Sequence, residues 1–324
     1  MSGPAPAPAS TPEPAPMFIV CGEALYDVFA EHDTPTGIAF DGRIGGSPYN
    51  VAMGLARLGQ RVGFLGGIGT GFAGQRLLRS LVDEGIATTC VARVDAPTTL
   101  SLVGLDAAGV ASYAFYGHGA ADRQLQLHHL DAVPAQARAF HFGSYAMVVQ
   151  PVAATQRALV EREQARSLIS YDPNIRVNVE PDLGLWRETL AWMTPRSHLL
   201  KLSDEDLALL YPGRSVDDFA ADALAAGVRL VVVTLGGEGA VAYHRAGRVA
   251  QEPLPVTVVD TVGAGDTFAA ALLTWLAEHG AASPAGMAAL TLPEISAALA
   301  FAVQAAAITC GRRGADLPRR AELD

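Results

Sequence analysis

The chain has 324 residues, 50% of them hydrophobic, which is enough to bury the core of one large domain. Its formal charge of −10 argues against nucleic acid or an anionic membrane as a partner, since both are bound through clustered Lys and Arg. Cys21, Cys90 and Cys310 are odd in number and far apart, so they offer neither a disulfide framework nor a metal knuckle, and a reducing cytoplasm is the expected compartment.

Residues 1–16, MSGPAPAPASTPEPAP, have neither a basic start nor an apolar stretch; no secretory signal is expected there, and the Pro/Ala bias predicts a disordered tail. Residues 17–324 read as a single α/β domain. Apolar, β-branched runs recur at Met17–Gly22, Val62–Gly66, Ala139–Phe142, Leu168–Asp172, His198–Leu202 and Arg229–Leu235. They are continuously hydrophobic rather than alternating, as strands buried on both faces should be, and helical patterns separate them. That order predicts a mostly parallel central sheet with helices on both faces. Two segments break the rhythm, Ala30–Ile44 and Thr98–Tyr116, the second reading as a hairpin with a Gly-containing turn. Together they predict a small β lid near residues 30–44 and 98–121.

After Gly45-Gly46, Ser47 is expected to cap a helix that has Pro48 in its first turn, Val51, Leu55 and Leu58 on one face, and Gly59 at its end. Val256–Val259 reads as a strand entering a glycine turn. A helix then runs from near Gly265 to His279-Gly280, with Phe268, Leu272, Trp275 and Leu276 at helical spacing. The apolar stretch around residues 297–308 is too short to span a bilayer. Neither an internal repeat nor a linker divides the chain.

The string Asp260-Thr-Val-Gly-Ala-Gly-Asp266-Thr-Phe joins a glycine-rich turn to a helix with a carboxylate at its mouth. Backbone N–H groups of Gly263, Ala264 and Gly265 can turn toward an anion at the positive end of the helix. Asp266 beside them can take a proton from an attacking hydroxyl, the remaining need of phosphoryl transfer once charge is neutralised. In a bare G-x-G-D string, however, the Asp ordinarily just caps the helix. Gly45 and Gly46 permit close backbone approach and Asn50 offers donor and acceptor on the first helical turn, although two glycines before a helix are commonly only a turn. The rival class is a dinucleotide-binding oxidoreductase, suggested by G-x-G-x-x-G at residues 69–74. That string lies outside the first βα turn, and Asp95 is a poor ribose partner. No P-loop, G-x-S-x-G or H-E-x-x-H string occurs, and His128-His129 and Cys310 read as structural.

DTVGAGD, complete from Asp260 to Asp266, occurs with GGSPYN at Gly45–Asn50 and with Ala52, Leu55, Leu58-Gly59, Gly66, Gly69 and Gly74 beyond it. The pair resembles the two signatures of the ribokinase-like (PfkB) carbohydrate kinases. Likeness to the bacterial fructokinase branch continues through Gly22–Asp27, Ser170–Arg176, Lys201–Asp206, Val233–Gly237 and Ala307–Gly314, across most of residues 17–318. The resemblance implies a three-layer fold under a small lid. It implies transfer of the γ-phosphoryl of MgATP to a sugar hydroxyl, with D-fructose first and 2-keto-3-deoxygluconate or another family sugar as the alternative. By that likeness Asp266 is the base, Gly263, Ala264 and Gly265 form the anion hole, and Arg176 neutralises the γ-phosphoryl. Asp27, Gly45, Gly46, Asn50, Phe115 and Asn174 would hold the sugar, with Phe115, His118 and Asp122 setting its identity. Lys201, Ser203, Thr234, Gly236 and Gly239, with Gly263 and Gly265, would hold ATP. Ser203 and Asp206 depart from the family's N-x-x-E: Ser203 has no amide and Asp206 is one methylene shorter, so Asp206 would reach Mg²⁺ through water. Asp260 lies where relatives hold a monovalent cation such as K⁺. Pairing of lid edges implies a homodimer. A relative that binds sugar without turnover should have lost Asp266 or the anion hole, and both are intact here.

Overall fold

The computed structural model describes residues 17–105 and 111–324; the tail at 1–16 and the expected hairpin turn lie outside the described residues. In chain order the strands are β1 (Met17–Cys21), β2 (Leu25–Thr34), β3 (Gly37–Gly45), β4 (Val62–Leu65), β5 (Gly67–Gly69), β6 (Ala92–Val94), β7 (Leu100–Leu105), β8 (Ala111–Tyr116), β9 (Ala137–Gly143), β10 (Leu168–Asp172), β11 (Leu199–Ser203), β12 (Leu230–Thr234), β13 (Ala240–His244) and β14 (Gly247–Gln251). The helices are α1 (Ser47–Arg57), α2 (Phe72–Asp83), α3 (Val152–Glu163), α4 (Leu183–Met193), α5 (Asp204–Leu210), α6 (Val216–Ala225), α7 (Ala264–Glu278), α8 (Pro284–Ala289) and α9 (Leu292–Cys310).

Eight strands form the central sheet in the order β14-β13-β12-β11-β10-β9-β1-β4. Pairing is parallel from β4 to β12, and β13 and β14 continue it antiparallel. Side chains of one strand alternate between the two faces. Phe18 and Val20 of β1 enter a core with α1, α2, α7, α8 and α9, whereas Ile19 and Cys21 enter a second core with α3, α4, α5 and α6. Both faces are therefore dry, and each fully buried Val, Ile or Phe is worth roughly 1.5–3 kcal/mol over exposure. Helix α9 has 19 residues and the hydropathy of a membrane span. It packs along α7, with Leu299, Ala302 and Ala305 buried in the core.

A second sheet, β3-β2-β7-β8, forms the lid. It begins at Leu25, earlier than the sequence pattern suggests, because the alternation of Leu25, Asp27 and Phe29 already belongs to it. These residues, with Ser101, Val103 and Phe115, line a cleft between lid and central sheet. The register sets Tyr26, Leu100 and Tyr116 abreast on the opposite face, where Phe40 of β3 joins them opposite Ala30. Phe40, Leu100 and Tyr116 are all exposed.

One expected strand does not form. Val256–Val259 is not a strand: it joins no sheet, is tied only at Val259, whose N–H donates to the Cys310 carbonyl at 2.8 Å, and runs exposed along the cleft mouth. The hairpin β13–β14 completes the sheet instead. The G-x-G-x-x-G string runs from β5 into α2, off the central sheet. Gly74 there meets the Gly69 carbonyl so closely that a Cβ could not fit, so these glycines serve close packing.

Candidate active site

The carboxyl ends of β1, β10, β11 and β12 open on one edge of the sheet, the usual place for a ligand in a parallel α/β fold. The cleft there measures about 1140 Å³, ample for two small substrates together. Helix α7 points its N-terminus into it. Gly263 caps that helix at φ 79°, in the left-handed region, and a Cβ on it would lie 2.6 Å from the Cβ of Ala315. The Ala264 N–H turns to the Thr261 carbonyl at 3.2 Å. Of the three N–H groups expected to face an anion, that of Ala264 is therefore already engaged, which leaves those of Gly263 and Gly265.

Asp266 sits in the first turn of α7 and is 6% exposed. It does not cap the helix. Its Oδ1 accepts the Ser47 hydroxyl at 2.7 Å and its Oδ2 accepts the Asn50 amide at 2.8 Å. Ser47 is free to do this because the cap position falls to Gly46, whose φ of 105° suits only glycine, leaving Ser47 inside the helix instead of before it. Ser47 and Asn50 lie three residues apart, on one helix face. Asn174 holds a left-handed φ of 39°, rare outside glycine, and from there its amide reaches Ser47 and, at 3.4 Å, Asp266.

At the lid end, burial raises Asp27 above the usual carboxylate range, against a hydrogen bond from Ser101 and the charge of Arg176. A Cβ on Gly45 would strike the Asp27 carboxylate, and one on Gly46 would lie 2.7 Å from the Glu23 carbonyl. Phe115 packs edge-on against Tyr145 with ring centres 5.5 Å apart. Asp122 lies behind them, buried, accepting from Thr99 and from the Tyr145 hydroxyl at 2.9 Å. His118 is exposed and off the cleft wall. Of the three residues expected to set sugar identity, only Phe115 lines the cleft; Asp122 lies beneath its floor, bonded to Tyr145.

At the other end, Lys201 on β11 pairs with Asp172 at the end of β10, Nζ to Oδ2 2.7 Å, both buried. Ser203 caps α5 by accepting the Asp206 N–H at 3.0 Å, and Asp206 Oδ1 accepts the Ile175 N–H at 3.1 Å. Both line the cleft with Thr234, Gly236 and Gly239. Arg176 is exposed at the mouth and bonds the Ile175 carbonyl at 3.0 Å. Asp260 spends one oxygen on the Val262 N–H and the other on the Gly314 N–H, at 3.0 and 2.8 Å. It thereby braces the turn to the chain after α9. Among the described residues no cluster of three or more His, Cys, Asp and Glu is placed to hold a metal by itself. His129 accepts a backbone N–H from Gln126, in keeping with a structural pair.

Three residues escape sequence reasoning. Ser47 donates to Asp266, Asp172 holds Lys201, and Glu23, 1% exposed, lies at the cleft with its carboxyl pushed up to about 8 by burial. Ser47 and Glu23 lie inside GGSPYN and GEALYD and Asp172 inside SYDPNIR, so those strings carried their neighbourhood, though not their roles.

Residues 16–321 match the family described as pfkB family carbohydrate kinase. The chain is similar to a fructokinase of Rhizobium leguminosarum bv. trifolii, 37% identical over 80% of this chain and 79% of that protein. Among solved structures it is similar to the fructokinase of Xylella fastidiosa with bound ATP, with TM-score 0.86 and 28% identity over 95% of this chain and 96% of the other. It is also similar to the fructokinase of Vibrio cholerae O395 in its fructose, ADP and calcium ion bound form, with TM-score 0.79 and 26% identity over 95% of this chain and 98% of the other.

Proposed function

The chain belongs to the pfkB family of carbohydrate kinases, and we propose that it transfers the γ-phosphoryl group of MgATP to the 6-hydroxyl of D-fructose in the cytoplasm. The carrying observation is Asp266: a buried carboxylate held on both oxygens by Ser47 and Asn50, one residue from the Gly265 N–H of the anion hole. Fructose is favoured over 2-keto-3-deoxygluconate by the fructokinases that this chain resembles.

Asp27, with the backbone at Gly45 and Gly46, the amides of Asn50 and Asn174, and the Phe115 ring, orients the sugar. Thr234, Gly236 and Gly239 seat the nucleotide along the sheet edge. Asp266 accepts the proton of the 6-hydroxyl as the new O–P bond forms, and the electron pair of the broken P–O bond leaves with ADP. The N–H groups of Gly263 and Gly265 meet the charge that develops on the phosphoryl oxygens, with the Arg176 guanidinium beside them. Mg²⁺ typically takes only one or two protein carboxylates plus phosphate oxygens. Asp206, half-buried on the cleft wall beside the Ser203 cap, fits that sparse donor set through water, and the ion would supply charge neutralisation between the phosphates. Asp260 marks the place for K⁺; since both its oxygens already accept N–H groups, the ion would draw mainly on nearby carbonyls. The exposed outer lid residues Phe40, Leu100 and Tyr116 support a homodimer through that face.

The test is ADP release from MgATP by the parent and Asp266→Asn with fructose, glucose, mannose, ribose, 2-keto-3-deoxygluconate and adenosine in parallel, each with and without K⁺. Turnover by the parent on fructose, with a loss of about 1,000-fold or more in the variant and unchanged fructose binding, is expected. Turnover only on another sugar would move the substrate. A variant keeping most of its activity would remove Asp266 from the chemistry.

A further inference from the structure

The stretch after α9, residues 311–317, touches the lid on one side and the turn into α7 on the other. Arg43 reaches it from β3. In the lid register Arg43 stands directly opposite Asp27 of β2, so its side chain leaves from the face that covers the cleft. Its guanidinium is fixed within the lid: Nε donates to Asp41 Oδ2 at 2.7 Å, and the group lies 6.0 Å from the centre of the Phe29 ring, which lines the cleft. The other arm of the fork, Nη1, donates to the Arg313 carbonyl at 3.0 Å. That carbonyl and the Gly314 N–H belong to one planar peptide group. The Gly314 N–H donates to Asp260 Oδ2 at 2.8 Å, and the other Asp260 oxygen accepts the N–H of Val262, the residue before Gly263. One rigid plane is thus held by the lid at its oxygen and by the glycine turn at its nitrogen, so neither end can rotate alone. The chain is shaped for this contact: a Cβ on Gly314 would lie 2.8 Å from Arg43 Nη1, and the next residue, Ala315, sits against Gly263.

We propose that Arg43 is a positioning residue for phosphoryl transfer, which through the Arg313–Gly314 peptide sets the aim of the Gly263 and Gly265 N–H groups. The proposal rests on the kinase reading and deepens it. Asp266 takes its aim from α1 through Ser47 and Asn50, whereas the N–H groups beside it take theirs from the lid. Base and anion hole then come into register only when the lid stands over the cleft. Glu31 of the lid pairs with the Arg313 side chain at 3.0 Å, but this pair is largely exposed and leaves the peptide group untouched, so it contributes little to the aim.

Steady-state kinetics of Arg43→Met, Arg43→Lys and Glu31→Gln, at fixed Mg²⁺ and K⁺, separate positioning from simple closure. Arg43→Met keeps the apolar stem and loses the donors; its kcat should fall about 30-fold while the KM for the sugar holds within about twofold. Arg43→Lys keeps a cation and a donor for the carbonyl and should recover part of the loss, and Glu31→Gln should keep the parent's kcat. A raised sugar KM at unchanged kcat would mean that Arg43 only holds the lid shut, and would overturn the assignment; so would a kcat that no variant alters. Calorimetric titration of ADP and of a non-hydrolysable β,γ-methylene ATP, with Mg²⁺ and without sugar, reads the same turn independently of turnover. Arg43→Met is expected to bind the triphosphate analogue about fivefold more weakly while holding ADP within about twofold. Failure of the parent to phosphorylate any sugar would fail the kinase reading, and this nucleotide comparison would then decide Arg43, equal effects on both nucleotides overturning it. A parent that binds neither nucleotide overturns both.

Discussion

Glu23 is the residue whose surroundings ask most of its ionisation. Burial, set against the Ser144 hydroxyl and the Arg176 charge and abetted by Asp122, lifts its carboxyl from an ordinary 4.5 to about 8. The folded protein keeps a proton that the unfolded chain gives up. Stability owed to the neutral acid is therefore complete below pH 4.5 and is lost as pH climbs to about 8. Glu23→Gln keeps the neutral shape at every pH. Thermal melts should show the variant close to the parent near about pH 4 and more stable than it near about pH 9. A gap of the same size at both pH values would mean that Glu23 is ionised in the fold and that its effect is packing alone. His141 has the opposite sign: burial, with Lys201 nearby, lowers it to about 3, so stability from the neutral ring is lost as pH falls from 6.5 toward that value.

Among the elements, the turn into α7 carries the most constraint. Gly263→Ala puts a side chain at φ 79° and against Ala315, at a cost of about 1–2 kcal/mol for the left-handed backbone before any clash is counted. The two N–H groups should turn off the phosphoryl position, and kcat is expected to fall about 100-fold with a smaller change in the sugar KM, measured by steady-state kinetics. An unaltered kcat would place the anion hole elsewhere. How far such elements can be read from sequence depends on what defines them. The parallel strands were legible because burial on both faces leaves a largely apolar run, unbroken at Leu230–Val233 of β12, and the expected Leu168–Asp172 is reproduced residue for residue. Val256–Val259 has a similar local composition but no strand beside it among the described residues, and pairing is not a local property. The hairpin β13–β14 failed in the other direction: its outer strand is largely exposed and carries Arg248 and Gln251, so it lacks that run. At the site, the glycine turn, Asp266 and Asn50 were legible as strings. Ser47 was assigned to the cap because Ser before a Pro looks like one, and only the φ of Gly46 shifts the cap by a residue. The Asp172–Lys201 pair joins residues 29 apart in sequence, and nothing near either one announces the other.

For the whole molecule, the outer face of the lid sets the prediction. Phe40 and Tyr116 are 50% and 63% exposed on a sheet that the core does not cover. Sedimentation should find the parent at twice the chain mass, and Phe40→Asp with Tyr116→Asp should shift it to one chain mass. A parent that stays at one chain mass at every concentration would assign that face to something other than self-association. The same lid is joined to the catalytic centre in a way that its role as a cover does not require. Strand β3 passes through Gly45 and the single residue Gly46 straight into α1, the helix that brings Ser47 and Asn50 to Asp266. Helix α1, however, is buried in the core against α7, so Ser47 and Asn50 are held on Asp266 by the same packing that holds the two helices together. Movement of the lid would have to be taken up at Gly45 and Gly46, and the aim of the carboxylate belongs to the core rather than to the cover.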